Sequence, residues 1–140
     1  MRGALRLIAM AFLLQAGPAW AEQVEFEPVA PLDLDSVDPA MAADMFGRWT
    51  ISDEAGAKSC DVELLKETTI GGMQIMVDPA CESVFPVMAD ITAWRLLEGW
   101  SIDLVDAERK TRIRFSTPDE RYAAFPEVDG IFTIAPRQPN

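Results

Sequence analysis

The sequence predicts an all-β fold, a small antiparallel barrel or sandwich of roughly eight strands, preceded by an N-terminal arm and a short helix. First, apolar residues recur at every second position in short segments from Gly47 onward, as in strands that bury one face. Second, short connections with Gly, Pro or Asp separate these segments. Third, one apolar face per strand suits a small barrel whose interior is filled by side chains.

The first 21 residues have the features of an export signal. Arg2 and Arg6 precede the apolar run at 7–14, and the triplet AWA follows at 19–21, which is the pattern that signal peptidase cleaves. The run is shorter than the roughly 20 apolar residues that span a bilayer; a membrane anchor or a buried helix is the alternative. No cysteine follows the triplet, so we expect no lipid attachment. The mature chain is expected to begin at Glu22 and to be periplasmic or secreted.

The predicted arm comprises residues 22–37, EQVEFEPVAPLDLDSV. It is acidic, contains two prolines and lacks a sustained period, so we interpret it as extended. A tail that serves only solubility is the alternative. Asp38 is then a suitable helix cap and Pro39 suits the first turn, which predicts about two helical turns ending at Gly47.

The two cysteines, Cys60 and Cys81, are expected to form a disulfide, because exported chains usually pair their cysteines. Their spacing is unlike that of zinc ligands, and the chain has no histidine. Alternating segments on either side of Gly71-Gly72 predict a hairpin in which Cys60 faces Pro79, so that Cys81 lies within reach of a bridge. A free-thiol or redox role is the alternative, although the C-x-x-C spacing is missing.

Two hairpins carry specific register predictions. In the first, Lys66 is expected to lie opposite Met73. In the second, WSIDLVDAERKTRIRF, a two-residue loop at Ala107-Glu108 would place Asp103 opposite Arg112 as an exposed ion pair.

The other segments complete the predicted barrel domain, residues 38–136, which leaves a tail at 137–140. Strands are predicted for GRWTIS, TAWRLLEGW, RYAAF and GIFTIAP, with turns near Pro126 and Asp129-Gly130, and a short helical or irregular turn for ESVFPVMADI. The tryptophans that begin or lie in such segments are expected in the core: Trp49, Trp94 and Trp100.

The composition excludes several kinds of chemistry. Without histidine there is no Ser–His–Asp triad and no histidine metal ligand. The run Asp33, Asp35 and Asp38 lacks the glycine and the closing glutamate of a calcium loop. We therefore expect no catalytic residue, no metal site and no cofactor. The net charge of −11 argues against nucleic acid and anionic membranes as partners.

The segments MFGRWTISDEAGAKSCDVEL, DPAC, AWRLLEGWSIDLVDAERKTRIRF and RYAA, in this order, resemble the bacterial inhibitors of serralysin-type zinc metalloproteases, the Inh or alkaline proteinase inhibitor family. The similarity runs from about Asp38 to Ala135. It implies an eight-stranded antiparallel up-and-down β-barrel with one disulfide, Cys60–Cys81, and export to the periplasm. It also implies that an N-terminal arm enters the protease cleft, near the catalytic zinc. Carried onto this chain, the blocking residues would be Glu22, Gln23, Val24, Glu25 and Phe26.

The expected partner is thus a secreted zinc metalloprotease, bound by a monomer without a membrane anchor. Two other functions are open at this stage. The barrel could bind a small apolar ligand, although a barrel of this length fills its interior with side chains. It could also be an envelope interaction protein whose acidic surface binds a basic protein such as a lysozyme.

Overall fold

The computed structural model describes residues 24–139, which contain eight β-strands and two short α-helices. The helices are α1 (Pro39–Ala43) and α2 (Cys81–Val84). The strands are β1 (Gly47–Asp53), β2 (Ser59–Thr69), β3 (Gly72–Val77), β4 (Ile91–Leu96), β5 (Ile102–Asp106), β6 (Thr111–Ser116), β7 (Tyr122–Val128) and β8 (Ile131–Pro136). Single 3₁₀ turns occupy Leu34–Ser36, Pro86–Asp90 and Glu98–Trp100. Among the described residues, no helix is long and apolar enough to span a membrane.

The eight strands form one closed barrel in chain order. Each strand is antiparallel to the next, and β8 closes the barrel by pairing with β1, where Ile51 lies opposite Ile134. The predicted all-β, eight-stranded up-and-down barrel is therefore confirmed, and the sandwich is excluded. Closure leaves no terminal strand of the sheet unpaired, which protects against edge-to-edge association.

Alternate residues of the strands fill the barrel interior. In β1, for example, Trp49 and Ile51 are buried while the intervening Thr50 is half-buried. The predictions that Trp49 and Trp94 belong to the core are confirmed, and Trp100 packs against the core while half-buried. The largest fully buried side chains include Trp94, Phe85, Phe115, Ile51, Leu64, Met88 and Leu104. Fully burying each such side chain stabilises the fold by about 1.5–3 kcal/mol.

The β2–β3 hairpin keeps the predicted register at its base and loses it near its tip. Val62 lies opposite Val77, in the predicted register, but an irregularity beyond Leu64 places Thr68, not Lys66, opposite Met73. The tip folds over the outer face of the barrel, with Gly71 against Val105. This packing explains why Val105, an outward residue of β5, is fully buried.

The predicted disulfide is present. Cys60 in β2 is bonded to Cys81, the first residue of α2, and their Cα atoms are 5.2 Å apart. The bond joins β2 to the segment between β3 and β4. Closing a loop of this size stabilises the protein by about 3 kcal/mol in the chain-entropy model.

The predicted register of the β5–β6 hairpin is wrong by two residues. Asp103 lies opposite Arg114, not Arg112, because the loop has three residues instead of two and a further irregularity between Leu104 and Val105 shifts the register by one more residue. Asp106 and Lys110 close the loop with a hydrogen bond between their main chains. Arg109 takes a left-handed conformation with φ 66°, as in three-residue hairpin loops.

Two smaller predictions need correction, while the helix cap is confirmed. The Asp38 side chain accepts a hydrogen bond from the main-chain N–H of Ala40. The helix that it caps is shorter than two turns, because α1 ends at Ala43 and not at Gly47. Pro126 lies within β7 and not in a turn, and the chain reverses only at Asp129-Gly130.

Candidate functional site

The arm is fastened to the barrel at the end of β4. The main-chain N–H of Leu32 donates to the carbonyl of Leu96 at 2.9 Å, and that of Glu98 donates to the carbonyl of Ala30 at 2.8 Å. Leu32 and Leu34 pack against the core. Residues 30–34 are thus part of the folded body rather than a free tail.

A second attachment lies closer to the N-terminus, at Arg114 on the outer face of β6. Its Nη1 donates to the main-chain carbonyl of Glu27 at 2.8 Å. The Phe26 ring covers the guanidinium, with 5.3 Å between the ring centroid and Cζ, within the range of a cation–π interaction. The arm therefore crosses the outer face of the barrel before it continues toward its N-terminus.

Asp103 fixes the Arg114 guanidinium. Nε donates to Oδ1 at 2.7 Å and Nη2 donates to Oδ2 at 2.9 Å, the bidentate geometry that makes an Arg–carboxylate pair strong and directional. Thr111 Oγ1 donates to the same Oδ2 at 2.7 Å. The hydrogen bonds to Asp103 raise the pKa of Arg114 above its ordinary value, against the opposing effect of desolvation.

The pair is withdrawn from solvent. The side chain of Asp103 is 1% exposed and that of Arg114 is 13% exposed. We name the set of Asp103, Arg114, Phe26 and Glu27 the arm clamp. It corrects the expectation of an exposed Asp103–Arg112 pair: Arg112 instead lies near Asp90 and Asp106, at 3.2 and 3.5 Å.

An open groove of about 1250 Å³ is lined by the arm on one side and by outward residues of β4, β5 and β6 on the other. Charged side chains line much of it, with Arg95 donating hydrogen bonds to the main-chain carbonyls of Gly71 and Arg109. The side chains lining this groove are of both signs. Neither catalytic chemistry nor a preferred small ligand follows from this lining.

The structure describes three of the five residues predicted to block a protease. Val24 and Glu25 are exposed, Val24 by 42%, and Phe26 is half-buried against Arg114. Glu22 and Gln23, like the predicted signal peptide, lie outside the described residues. Within residues 24–139, no group of three or more acidic, cysteine or histidine side chains is arranged to hold a metal.

Sequence reasoning missed Arg114 as a residue that holds the arm. A loop predicted one residue too short, together with an unpredicted irregularity between Leu104 and Val105, assigned Asp103 to Arg112. The hydrogen bond of Arg114 to Glu27 joins residues 87 positions apart, and no local sequence pattern predicts such a contact. The signal that could have found it is the acidic residue in an apolar strand, because a buried carboxylate needs a partner.

The protein is a small closed barrel, cross-linked by one disulfide, with an extended segment docked on its outer face. This architecture is suited to binding another protein. The family model described as "Protease inhibitor Inh" matches residues 39–133. The match covers more than half of the 140-residue chain, and the chain belongs to this family of protease inhibitors. Comparisons with curated proteins and with solved structures find no match.

Family membership indicates that the protein acts on a protease as an inhibitor. The matched range begins at Pro39 and leaves out the arm. What the arm does therefore has to be argued from its own residues and contacts.

Proposed function

We propose that this protein is an exported inhibitor of a zinc metalloprotease, in which the barrel docks beside the active-site cleft and the arm blocks it. The family supports the inhibitory role, and the resemblance of the barrel segments to serralysin inhibitors favours a zinc enzyme as the target. Export directed by a signal peptide at 1–21 would bring the inhibitor to the periplasm or the extracellular space, where it would encounter a secreted protease.

The observation that carries the proposal is the way in which the arm is held. It is anchored twice on the barrel, at Ala30–Leu32 and at Arg114, and beyond the second anchor Val24 and Glu25 are exposed. An extended segment presented in this way is suited to pair with the edge of a protease sheet. The rigid barrel behind it lowers the entropy lost on docking.

The chemistry at the end of the arm suits a zinc site. After cleavage, Glu22 would carry both a free α-amine and a carboxylate, and nitrogen and carboxylate oxygen are ligands that zinc accepts. Glu25 and the apolar Val24 follow within the same extended segment. These residues would occupy the positions that a peptide substrate needs.

The test compares oxidised protein that begins at Glu22 with a variant in which Gly-Ser repeats replace residues 22–25 at equal length, so that Phe26 keeps its contact with Arg114. Both are titrated against a serralysin-type zinc protease. Inhibition by the first and loss of most of it in the second supports the proposal. The replaced arm keeps the chain length, so the comparison isolates the identity of the blocking residues. Equal inhibition by both proteins would show that these residues do not block the protease.

A second candidate function rests on the acidic surface. Glu25, Glu27, Asp33 and Asp35 are exposed along the arm, in a chain with net charge −11. A basic envelope protein would fit this surface through long-range attraction. Binding to such a protein that weakens steeply between low and physiological salt, together with failure to inhibit any protease, would favour this candidate.

A further inference from the structure

In the arm clamp, Arg114 holds the main chain of the arm by a hydrogen bond as well as the Phe26 side chain by a cation–π contact. Arg114 uses Nε and Nη2 on Asp103 and directs Nη1 to the carbonyl oxygen of Glu27. The planar guanidinium has its donors in a fixed fork, so Asp103 also fixes the direction of the third hydrogen bond. Phe26 then covers the face of the same group.

Two anchors on one arm define where its free part begins. The anchor at Ala30–Leu32 fastens the arm to the end of β4, and the clamp fastens it again at Phe26 and Glu27. Pro28 and Val29, between the anchors, are exposed. The segment from 26 to 32 is thus laid along the barrel before any target is met.

We propose that Arg114 is a positioning residue that fixes the exit point of the arm, so that Phe26 stays on the barrel and only residues 22–25 extend into the target. This inference rests on the proposed function and refines it. At roughly 3.3 Å per residue, residues 22–25 span about 13 Å, whereas an arm held only at Ala30 would extend over about 26 Å. The clamp therefore sets both the reach and the register of the blocking residues.

The first test uses the free protein and does not depend on a protease. Substituting the barrel partner would leave Asp103 unpaired, so the arm side is varied: Phe26→Ser removes the cover of the guanidinium, and Phe26→Tyr restores it. Backbone ¹⁵N order parameters of residues 26 and 27 are expected near about 0.85 in the unmodified protein and below about 0.6 in Phe26→Ser; Pro28 has no N–H and gives no such signal. Val29→Ser, an exposed arm residue, is the matched control and should leave them unchanged.

The second test measures register. Two residues, Gly-Ser, are inserted either between Val29 and Ala30, behind the clamp, or between Glu25 and Phe26, ahead of it. The insertion ahead displaces residues 22–25 by up to about 7 Å and should raise Ki by about tenfold or more, the cost of losing one well-made contact. The insertion behind should leave Ki within about twofold, because the clamp absorbs it.

The outcomes separate this inference from the proposed function. Equal changes in Ki for the two insertions would contradict the positioning role of the clamp, even if the protein inhibits a protease. Order parameters that stay high in Phe26→Ser would contradict it as well. If the unmodified protein inhibits no protease, the proposed function fails, and the order parameters then decide whether the clamp of Phe26 on Arg114 orders the arm.

Discussion

Asp103 and Arg114 lie opposite each other on the outer face of β5 and β6, joined by two hydrogen bonds of 2.7 and 2.9 Å. Outward ion pairs on small barrels are usually solvated and contribute little to stability. Here Asp103 is 1% exposed, so the pair behaves as a buried one. Because the pair is buried, breaking it would lower the stability of the protein, and the intact pair gives the arm a rigid point of attachment.

Replacing Arg114 with leucine should destabilise the protein by about 3 kcal/mol, because it leaves the Asp103 carboxylate buried without its cation. The double variant Asp103→Leu with Arg114→Leu should be more stable than the single variant, since no charge is then left behind. Urea unfolding followed by tryptophan fluorescence measures both. A single variant that loses less than about 1 kcal/mol would show that the pair is solvated after all.

Removing the disulfide should lower stability by about 3 kcal/mol, since the bond closes a loop with a sequence separation of 21 residues. Replacing Cys60 and Cys81 together with alanine tests this in urea. The unmodified protein under reducing conditions is the control and should unfold at a similar urea concentration. Unfolding curves that superimpose with and without reductant would contradict the structural role of the bond.

Gly72→Ala should cost more than the same change at Gly56. A Cβ at Gly72 would collide with the carbonyl oxygen of Trp94, whereas a Cβ at Gly56 would meet no atom within 4 Å. Both glycines have positive φ, so the Gly56→Ala variant controls for backbone strain alone. We expect a loss of about 3 kcal/mol at Gly72 and about 1 kcal/mol at Gly56. Equal losses would mean that Gly72 does not approach the main-chain carbonyl of Trp94 as closely as the structure shows.

Asp106 should make stability depend on pH in the acid range. Desolvation raises its pKa, but hydrogen bonds from the main chains of Lys110 and Glu108, and then from Arg112, outweigh it and lower the pKa below its usual 3.8. Because the folded-state pKa is depressed, the stabilisation is complete above the unfolded-state value and is lost as the pH falls through the folded-state value.

The measurement compares the unmodified protein with Asp106→Asn, whose side-chain oxygen still accepts the main-chain hydrogen bonds. Between about pH 5 and pH 3, the unmodified protein should lose more unfolding free energy than the variant. Parallel losses in the two proteins would show that Asp106 does not contribute.

The two hairpins show what the sequence could and could not predict. The base of the β2–β3 hairpin follows from the alternation around Gly71-Gly72, and Val62 and Val77 pair as expected. The β5–β6 loop has no glycine, so nothing in its sequence marks Arg109 as the left-handed residue that lengthens it. Together with the irregularity between Leu104 and Val105, the longer loop shifts the register by two residues and pairs Asp103 with Arg114.

The arm was harder to predict than the barrel for a physical reason. Barrel strands are specified by period-two patterns that neighbouring residues share. The docking of Phe26 and Glu27 on Arg114 depends on one guanidinium distant in sequence, and composition alone describes the segment as an acidic linker. Its extended character could be predicted, but its attachment could not.

If the arm occupies the active-site cleft of a zinc metalloprotease, as proposed, the inhibitor must compete with other ligands of that cleft. The most direct measurement is the apparent Ki of oxidised protein beginning at Glu22 at rising concentrations of a peptide substrate and, separately, of a hydroxamate that binds the catalytic zinc. We expect the apparent Ki to rise linearly with the concentration of either compound, because the arm, the substrate and the hydroxamate would compete for one cleft. Inhibition that neither compound weakens would contradict the proposal.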